Sequence, residues 1–229
     1  MASDTPTLVA VIVVVILVPY FWIIGLRQRK AWSSVDAAWK ALADELGLNL
    51  ELSKLVGVRN MYSPKVSGKY RDHLMVLDTY RVSQRSWYTF IPHSVFYTSL
   101  VVQLNKPAKD TMIVHPAGHL ARGGFHGKTT PYQTIQTGDP AFDRKLTVKG
   151  SNEPVVRKVL DSSIRQQLME IVQERFKIGI EESKAYYEEQ SGASYWAGTP
   201  DRGLADSARL RRVLDFVVDL AIRFEEQMG

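Results

Sequence analysis

The chain is 229 residues long, carries a formal net charge of +5 and is 45% hydrophobic. It contains no cysteine, which excludes disulfide staples, a thiol nucleophile and any Cys-ligated metal. The basic excess is modest and dispersed, and no run interleaves aromatic with basic side chains, so nucleic acid is not an expected partner.

Residues 8–26, LVAVIVVVILVPYFWIIGL, hold no charge. A helix of that length rises about 28 Å, near the hydrocarbon thickness of a bilayer. A cleaved signal peptide would begin with basic residues and end in small ones. Here the start is MASDTPT and the end is bulky. The expectation is a retained single-pass transmembrane anchor over residues 1–30, with Pro19 tolerated inside it, and a soluble domain over 31–229. Tyr20, Phe21 and Trp22 sit towards one end of the run, where aromatic rings favour an interface, and are candidate partner contacts. Arg27, Arg29 and Lys30 follow it, and no Lys or Arg precedes it. The positive-inside rule then puts the N-terminus outside, the domain in the cytoplasm and the anchor in the inner membrane, with these three cations near anionic lipid headgroups.

After the anchor, Ser33 and Ser34 can cap a new helix whose apolar positions Val35, Ala38, Trp39, Leu42 and Leu46 recur at helical spacing, with Gly47 as its stop. From about 66 to 148 the chain reads as strands and turns. Residues 73–82, 87–91, 95–104 and 111–115 are rich in β-branched and aromatic side chains. Phe142 to Val148 reads as a half-buried strand. Ser151-Asn152-Glu153-Pro154 starts a helix, which Asp161-Ser162-Ser163 bends or re-caps. Phe176 to Ile180 and Ala185 to Glu189 read as strands. A long helix begins near Leu204, with Leu210, Val213, Leu214, Val217, Ala221 and Phe224 on its buried stripe. Arg211–Asp215 and Asp219–Arg223 are its expected i,i+4 pairs. The fold class expected is α+β, a mainly antiparallel sheet with helices packed on one face, behind one membrane helix.

Residues 137–150, TGDPAFDRKLTVKG, together with Gly68-Lys69-Tyr70 and Tyr97-Thr98 upstream, resemble a broad group of uncharacterised bacterial single-span membrane-anchored proteins that carry a TGDxxFDxx(apolar)xVxG motif. The resemblance implies a soluble α+β domain behind one span, and no catalytic residue or substrate. Physically the motif reads as a Gly138-Asp139-Pro140 turn leading into the strand. Asp139 and Asp143 are better explained by turn chemistry than by a bound cation.

Residues 115–130, HPAGHLARGGFHGKTT, raise the sharpest question of chemistry. Gly127-Lys128-Thr129 suggests a phosphate loop, but the glycine that motif needs five residues earlier is Arg122, and Pro131 follows instead of a helix. His115, His119 and His126 could approach a metal, with His93 as a fourth ligand. Pro116 and Gly118 keep the first pair off a helix, and no acid lies in the loop to orient an imidazole. No G-x-S-x-G elbow is present. Tyr195 and Trp196, within SGASYWAGTPDRG, are further candidate partner contacts.

No enzyme activity, cofactor or resident metal is therefore expected. The function read from the sequence is a non-enzymatic accessory or scaffolding subunit of a larger membrane protein complex, with an energy-transducing one, respiratory or photosynthetic, among the candidate homes. Its expected partners are the bilayer and other membrane protein subunits. Two alternatives stand beside it: a metal-dependent hydrolase using His115, His119 and His126, and a lipid- or ligand-binding module.

Overall fold

The computed structural model describes residues 5–52, 55–56, 60–61, 64–85, 92–118, 132–172, 175–194 and 206–228. Its first element overturns the expected anchor. Helix α1 runs unbroken from Thr5 to Leu46, with Pro19 inside it. Among the described residues, no helix is long and apolar enough to cross a membrane. The expected fold class and its single-pass transmembrane character are corrected accordingly. Ser33 explains how two elements were read where there is one. Its hydroxyl donates back to the Lys30 carbonyl at 2.8 Å, the bond of a serine inside a helix and not of a cap. The apolar run and the amphipathic run are thus parts of a single helix about 63 Å long. Gly47, at φ +65°, ends it in the left-handed conformation a helix stop favours.

The strands that follow are β1 (Asn49–Glu51), β2 (Leu55–Val56), β3 (Asn60–Met61), β4 (Lys65–Tyr70), β5 (His73–Arg85), β6 (Pro92–Gln103), β7 (Met112–Pro116) and β8 (Gln133–Ile135). Then come α2 (Pro140–Lys145), β9 (Leu146–Gly150), α3 (Glu153–Val159), α4 (Ser162–Ile171), β10 (Phe176–Glu181), β11 (Lys184–Ser194) and α5 (Ser207–Met228). Nine strands form one sheet in the order β1-β4-β5-β6-β11-β10-β7-β9-β8, while β2 and β3 pair separately. Neighbours in the large sheet are antiparallel.

Period-2 alternation sorts each strand's side chains between two faces. On β5, Met75 and Leu77 are buried while Leu74 and Val76 are exposed. The buried set joins Leu100, Val102, Ala185, Tyr187, Ile178, Val114 and Val148 in a core shared with α1, α3, α4 and α5. Helix α5 is the centre of that layer. Its stripe Leu210, Val213, Leu214, Val217, Ala221 and Phe224 is buried, and so are Phe216, Val218 and Leu220. It touches the sheet on one side and α1, α3 and α4 on others.

The expected strand from Phe142 to Val148 is corrected in its first half: Phe142 to Lys145 belong to α2, while Leu146 to Val148 are strand, in β9. Asp139 accepts hydrogen bonds from the Ala141 and Phe142 amides at 3.0 and 3.2 Å, and with Pro140 in the first turn this caps a short helix, α2. Phe142 and Leu146, one helical turn apart, are both buried. The Asp143 carboxylate takes the Thr137 amide and hydroxyl at 3.0 and 2.8 Å. Both acids of the motif therefore serve local capping. Asp161 re-caps the chain between α3 and α4, accepting from the Ile164 amide at 2.9 Å. On α5, Arg211 and Asp215 pair at 2.9 Å. The expected Asp219–Arg223 pair is replaced by longer-range ones, Arg71 with Asp219 at 2.6 Å and Arg223 with Asp161.

Candidate functional site

Helix α1 has two halves with opposite environments. In its C-terminal part, Val35, Ala38, Trp39, Leu42 and Ala43 are buried in the core. In its N-terminal part, Val15, Val18, Tyr20, Trp22, Ile23 and Leu26 are 45–67% exposed. Exposed apolar side chains in such number are characteristic of interaction surfaces. Val15, Val18, Trp22 and Leu26 follow one another at helical spacing, so they share one side of the helix.

The buried half is held by a polar relay as well as by packing. Tyr70, at the end of β4, donates its hydroxyl to Asp215 at 2.7 Å and accepts from Arg211 at 2.9 Å. The same guanidinium reaches Glu45 on α1 at 2.6 Å, and its centre lies 5.3 Å from the Tyr70 ring centroid. Burial and the adjacent Asp215 push the Tyr70 hydroxyl up, so it stays a donor at neutral pH. The exposed arm is thus an extension of a helix fixed to α5 and the sheet.

Of the candidate contacts on this arm, Tyr20 and Trp22 are exposed, as is Lys30. The side chains of Phe21, Arg27 and Arg29 lie outside the described residues, and so do Tyr195 and Trp196. His115 sits on β7, 4% exposed, with Nδ1 2.9 Å from the Pro116 carbonyl oxygen. His119 and His126 lie outside the described residues, as does the His93 side chain. Among the described residues, no group of three His, Cys, Asp or Glu side chains could hold a metal ion.

Two polar assemblies escaped the sequence reading. His73, 4% exposed, has Nδ1 at 2.9 Å from the Arg71 carbonyl and Nε2 at 3.3 Å from Glu225, which ties the β4–β5 turn to the end of α5. On β11, Glu189 and Tyr187 meet Arg209 of α5 under the helical layer. A cavity of about 480 Å³ opens between the α3–α4 junction and α5, bordered by Lys158, Asp161, Asp219, Arg223 and Glu226. Its Asp161 pairs with Arg223, and Asp219 pairs with Arg71.

The Asp161 carboxyl is held below the usual range by the Ile164 amide and by Arg223. A carboxylate with a lowered folded pKa adds stability above its unfolded value, about 3.9, and that stability is lost as pH falls through the folded pKa. Asp161→Asn keeps a good cap and loses the Arg223 attraction. It should cost less than about 1 kcal/mol at neutral pH, because the pair is partly exposed. It should also flatten the acid limb of a stability-versus-pH curve measured by urea unfolding. An unchanged acid limb would remove Asp161 from that account.

With the fold and its arm established, one solved structure can be compared. In fold the chain is similar to the mycobacterial trehalose monomycolate transport factor A. The TM-score is 0.51 over 82% of this chain and 93% of the other, at 11% sequence identity. A likeness at that identity shows a shared fold and nothing finer. No protein-family model matches the sequence, and no curated protein matches it significantly.

Proposed function

We propose that this protein is a non-enzymatic accessory subunit of a larger assembly, and that it docks through the apolar arm of α1. The observation that carries the reading is the contrast within one helix. The same element is 0% exposed at Trp39 and Leu42 and 67% exposed at Trp22. Burying a large apolar side chain returns about 1.5–3 kcal/mol, so six exposed ones on a fixed helix are a strong drive towards a partner. Because the arm extends a docked helix, little ordering entropy opposes its association. The metal-dependent hydrolase built on His115, His119 and His126 gains no supporting observation among the described residues.

The test is the mass and composition of the native particle after gentle detergent extraction, for the natural chain and for Val18→Ser/Trp22→Ser. Substitutions at exposed sites should move stability by no more than about 0.5 kcal/mol each. A particle with other protein chains in fixed ratio, which the double variant leaves, is the expected result. A particle of this chain alone, or of this chain with lipid only, would sink the reading.

A further inference from the structure

The turn between β4 and β5 holds a costly backbone conformation. Tyr70 and His73 are register partners, so Arg71 and Asp72 alone make the turn. Both lie in the left-handed region, at φ 47° and 67°. A tight hairpin turn requires that conformation, and glycine and asparagine adopt it more readily than arginine does. A strained turn persists only where its surroundings hold it. Here α5 does so along its length. Tyr70 bonds Asp215, Arg71 pairs with Asp219, and His73 faces Glu225.

The last of these contacts has two forms. His73 Nδ1 lies 2.9 Å from the Arg71 carbonyl oxygen. A carbonyl only accepts, so Nδ1 carries a proton whenever this bond is made. On the other side of the ring, Nε2 lies 3.1 Å from the Asn105 amide nitrogen and 3.3 Å from Glu225 Oε2. The amide nitrogen donates and the carboxylate accepts, so Nε2 serves one or the other. A neutral ring accepts from Asn105 and turns a lone pair towards the carboxylate. A cationic ring donates to Glu225, and the Asn105 amide rotates to present its oxygen. The His73 and Glu225 side chains are 4% and 14% exposed, so water screens the choice weakly. Glu225 is held in place throughout, because its Oε1 accepts from the Asn105 and Lys106 backbone amides.

We propose that His73 is a proton-controlled latch: protonation moves its Nε2 bond from Asn105, just beyond β6, to Glu225 near the end of α5, and so tightens the strained turn on that helix. Histidine is the side chain whose charge ordinarily changes between about pH 5 and 8. The other charged groups of the elements around the ring are engaged elsewhere. Arg71 pairs with Asp219, Asp72 with Lys69, and Lys106 meets Glu225 through its backbone amide. That leaves the Glu225 carboxylate, among the described residues, as the acceptor for a second ring proton. A cation beside the last turns of α5 is also favoured by the helix dipole. The latch acts beyond the turn. Tyr70, at its start, accepts from Arg211, which in turn holds Glu45 of α1.

The experiment combines urea unfolding of the full chain with nitrogen-15 spectra of its histidine rings, at about pH 5.5 and about pH 8. Two double-variant cycles read the swap, His73→Gln with Glu225→Gln and His73→Gln with Asn105→Ala. At the acid pH, coupling between His73 and Glu225 should change the unfolding constant about tenfold, the scale of a hydrogen bond between charged groups. At the higher pH it should fall below about twofold, and the coupling between His73 and Asn105 should become the larger of the two. The ring spectra should show the Nδ1–H tautomer at the higher pH and both nitrogens protonated at the acid one. Those spectra use the natural chain, so they decide the matter even where a variant fails to fold. Couplings that keep the same order at both pH values, an Nε2–H tautomer at the higher pH, or a neutral ring at the acid pH would each overturn the proposal. The latch does not depend on what the arm of α1 binds, and Val18→Ser/Trp22→Ser should leave both couplings unchanged.

Discussion

Replacing Glu189 by alanine should destabilise the protein by about 3–5 kcal/mol, the cost of leaving a buried charge without its partner. Glu189 and Arg209 are 3% and 11% exposed. The guanidinium engages both carboxylate oxygens, Nη1 at 2.7 Å to Oε1 and Nη2 to Oε2. Tyr187 completes the set, donating to Glu189 at 2.7 Å and accepting from Arg209 at 3.2 Å. Burial opposes the arginine's charge, yet Glu189 and Tyr187 outweigh it and raise the guanidinium pKa above its ordinary value. Arg209 also lies in the first turn of α5, where the helix dipole disfavours a cation. With Glu189 gone, the acceptors left to the guanidinium among the described residues are the neutral Tyr187 hydroxyl and Ile171 carbonyl, and neither supplies the negative charge that offset these costs. The double variant Glu189→Met/Arg209→Met should recover most of the loss, since an apolar pair of similar volume replaces a buried ion pair at little or no net cost. Urea unfolding of Glu189→Met, Arg209→Met and the double variant closes the cycle. A single-variant loss below about 1 kcal/mol, or a double variant no better than the singles, would show that the pair is not what holds α5 to β11.

That pair marks the boundary of what a sequence displays. The stripe of α5 was legible because Leu210, Val213, Leu214, Val217, Ala221 and Phe224 repeat at the period of a helix, and all are buried. The strands around Leu77, Leu100 and Ile178 were legible from β-branched and aromatic content. Nothing periodic links Glu189 to Arg209, or Tyr70 to Asp215 across 145 positions. Those contacts exist only once the strand order is known. Two misreadings had local causes. Phe142 stands one helical turn before Leu146, and the Asp139 cap decides for a helix as far as Lys145, so the strand expected from Phe142 begins only at Leu146. Ser33 has the right chemistry for a cap, but its hydroxyl bonds backward to Lys30, so the apolar run at 8–26 continues into the core helix and does not stand apart from it.

Trp39→Ala should cost about 3–5 kcal/mol as well, and it separates the two halves of α1 in a way no arm variant can. The indole is completely buried and is among the largest side chains in the core, so truncation removes its transfer energy and leaves a cavity. Its neighbours on the same stripe, Val35, Ala38, Leu42 and Ala43, are buried too, and they share the loss if the helix loosens. Helix α1 meets the rest of the fold chiefly through α5, β1 and β4, whereas the central strands pair mainly with one another. The loss should therefore fall first on α1, read as faster proteolytic cleavage between residues 33 and 46 than in β5 or β6. Trp22→Ser should produce no such change in cleavage, because that side chain is 67% exposed. If the arm works only while it is held rigidly, Trp39→Ala should weaken the native assembly although every arm residue is intact. Full assembly with a demonstrably loosened α1 would mean that the arm needs no fixed base, and that its apolar surface alone makes the contact.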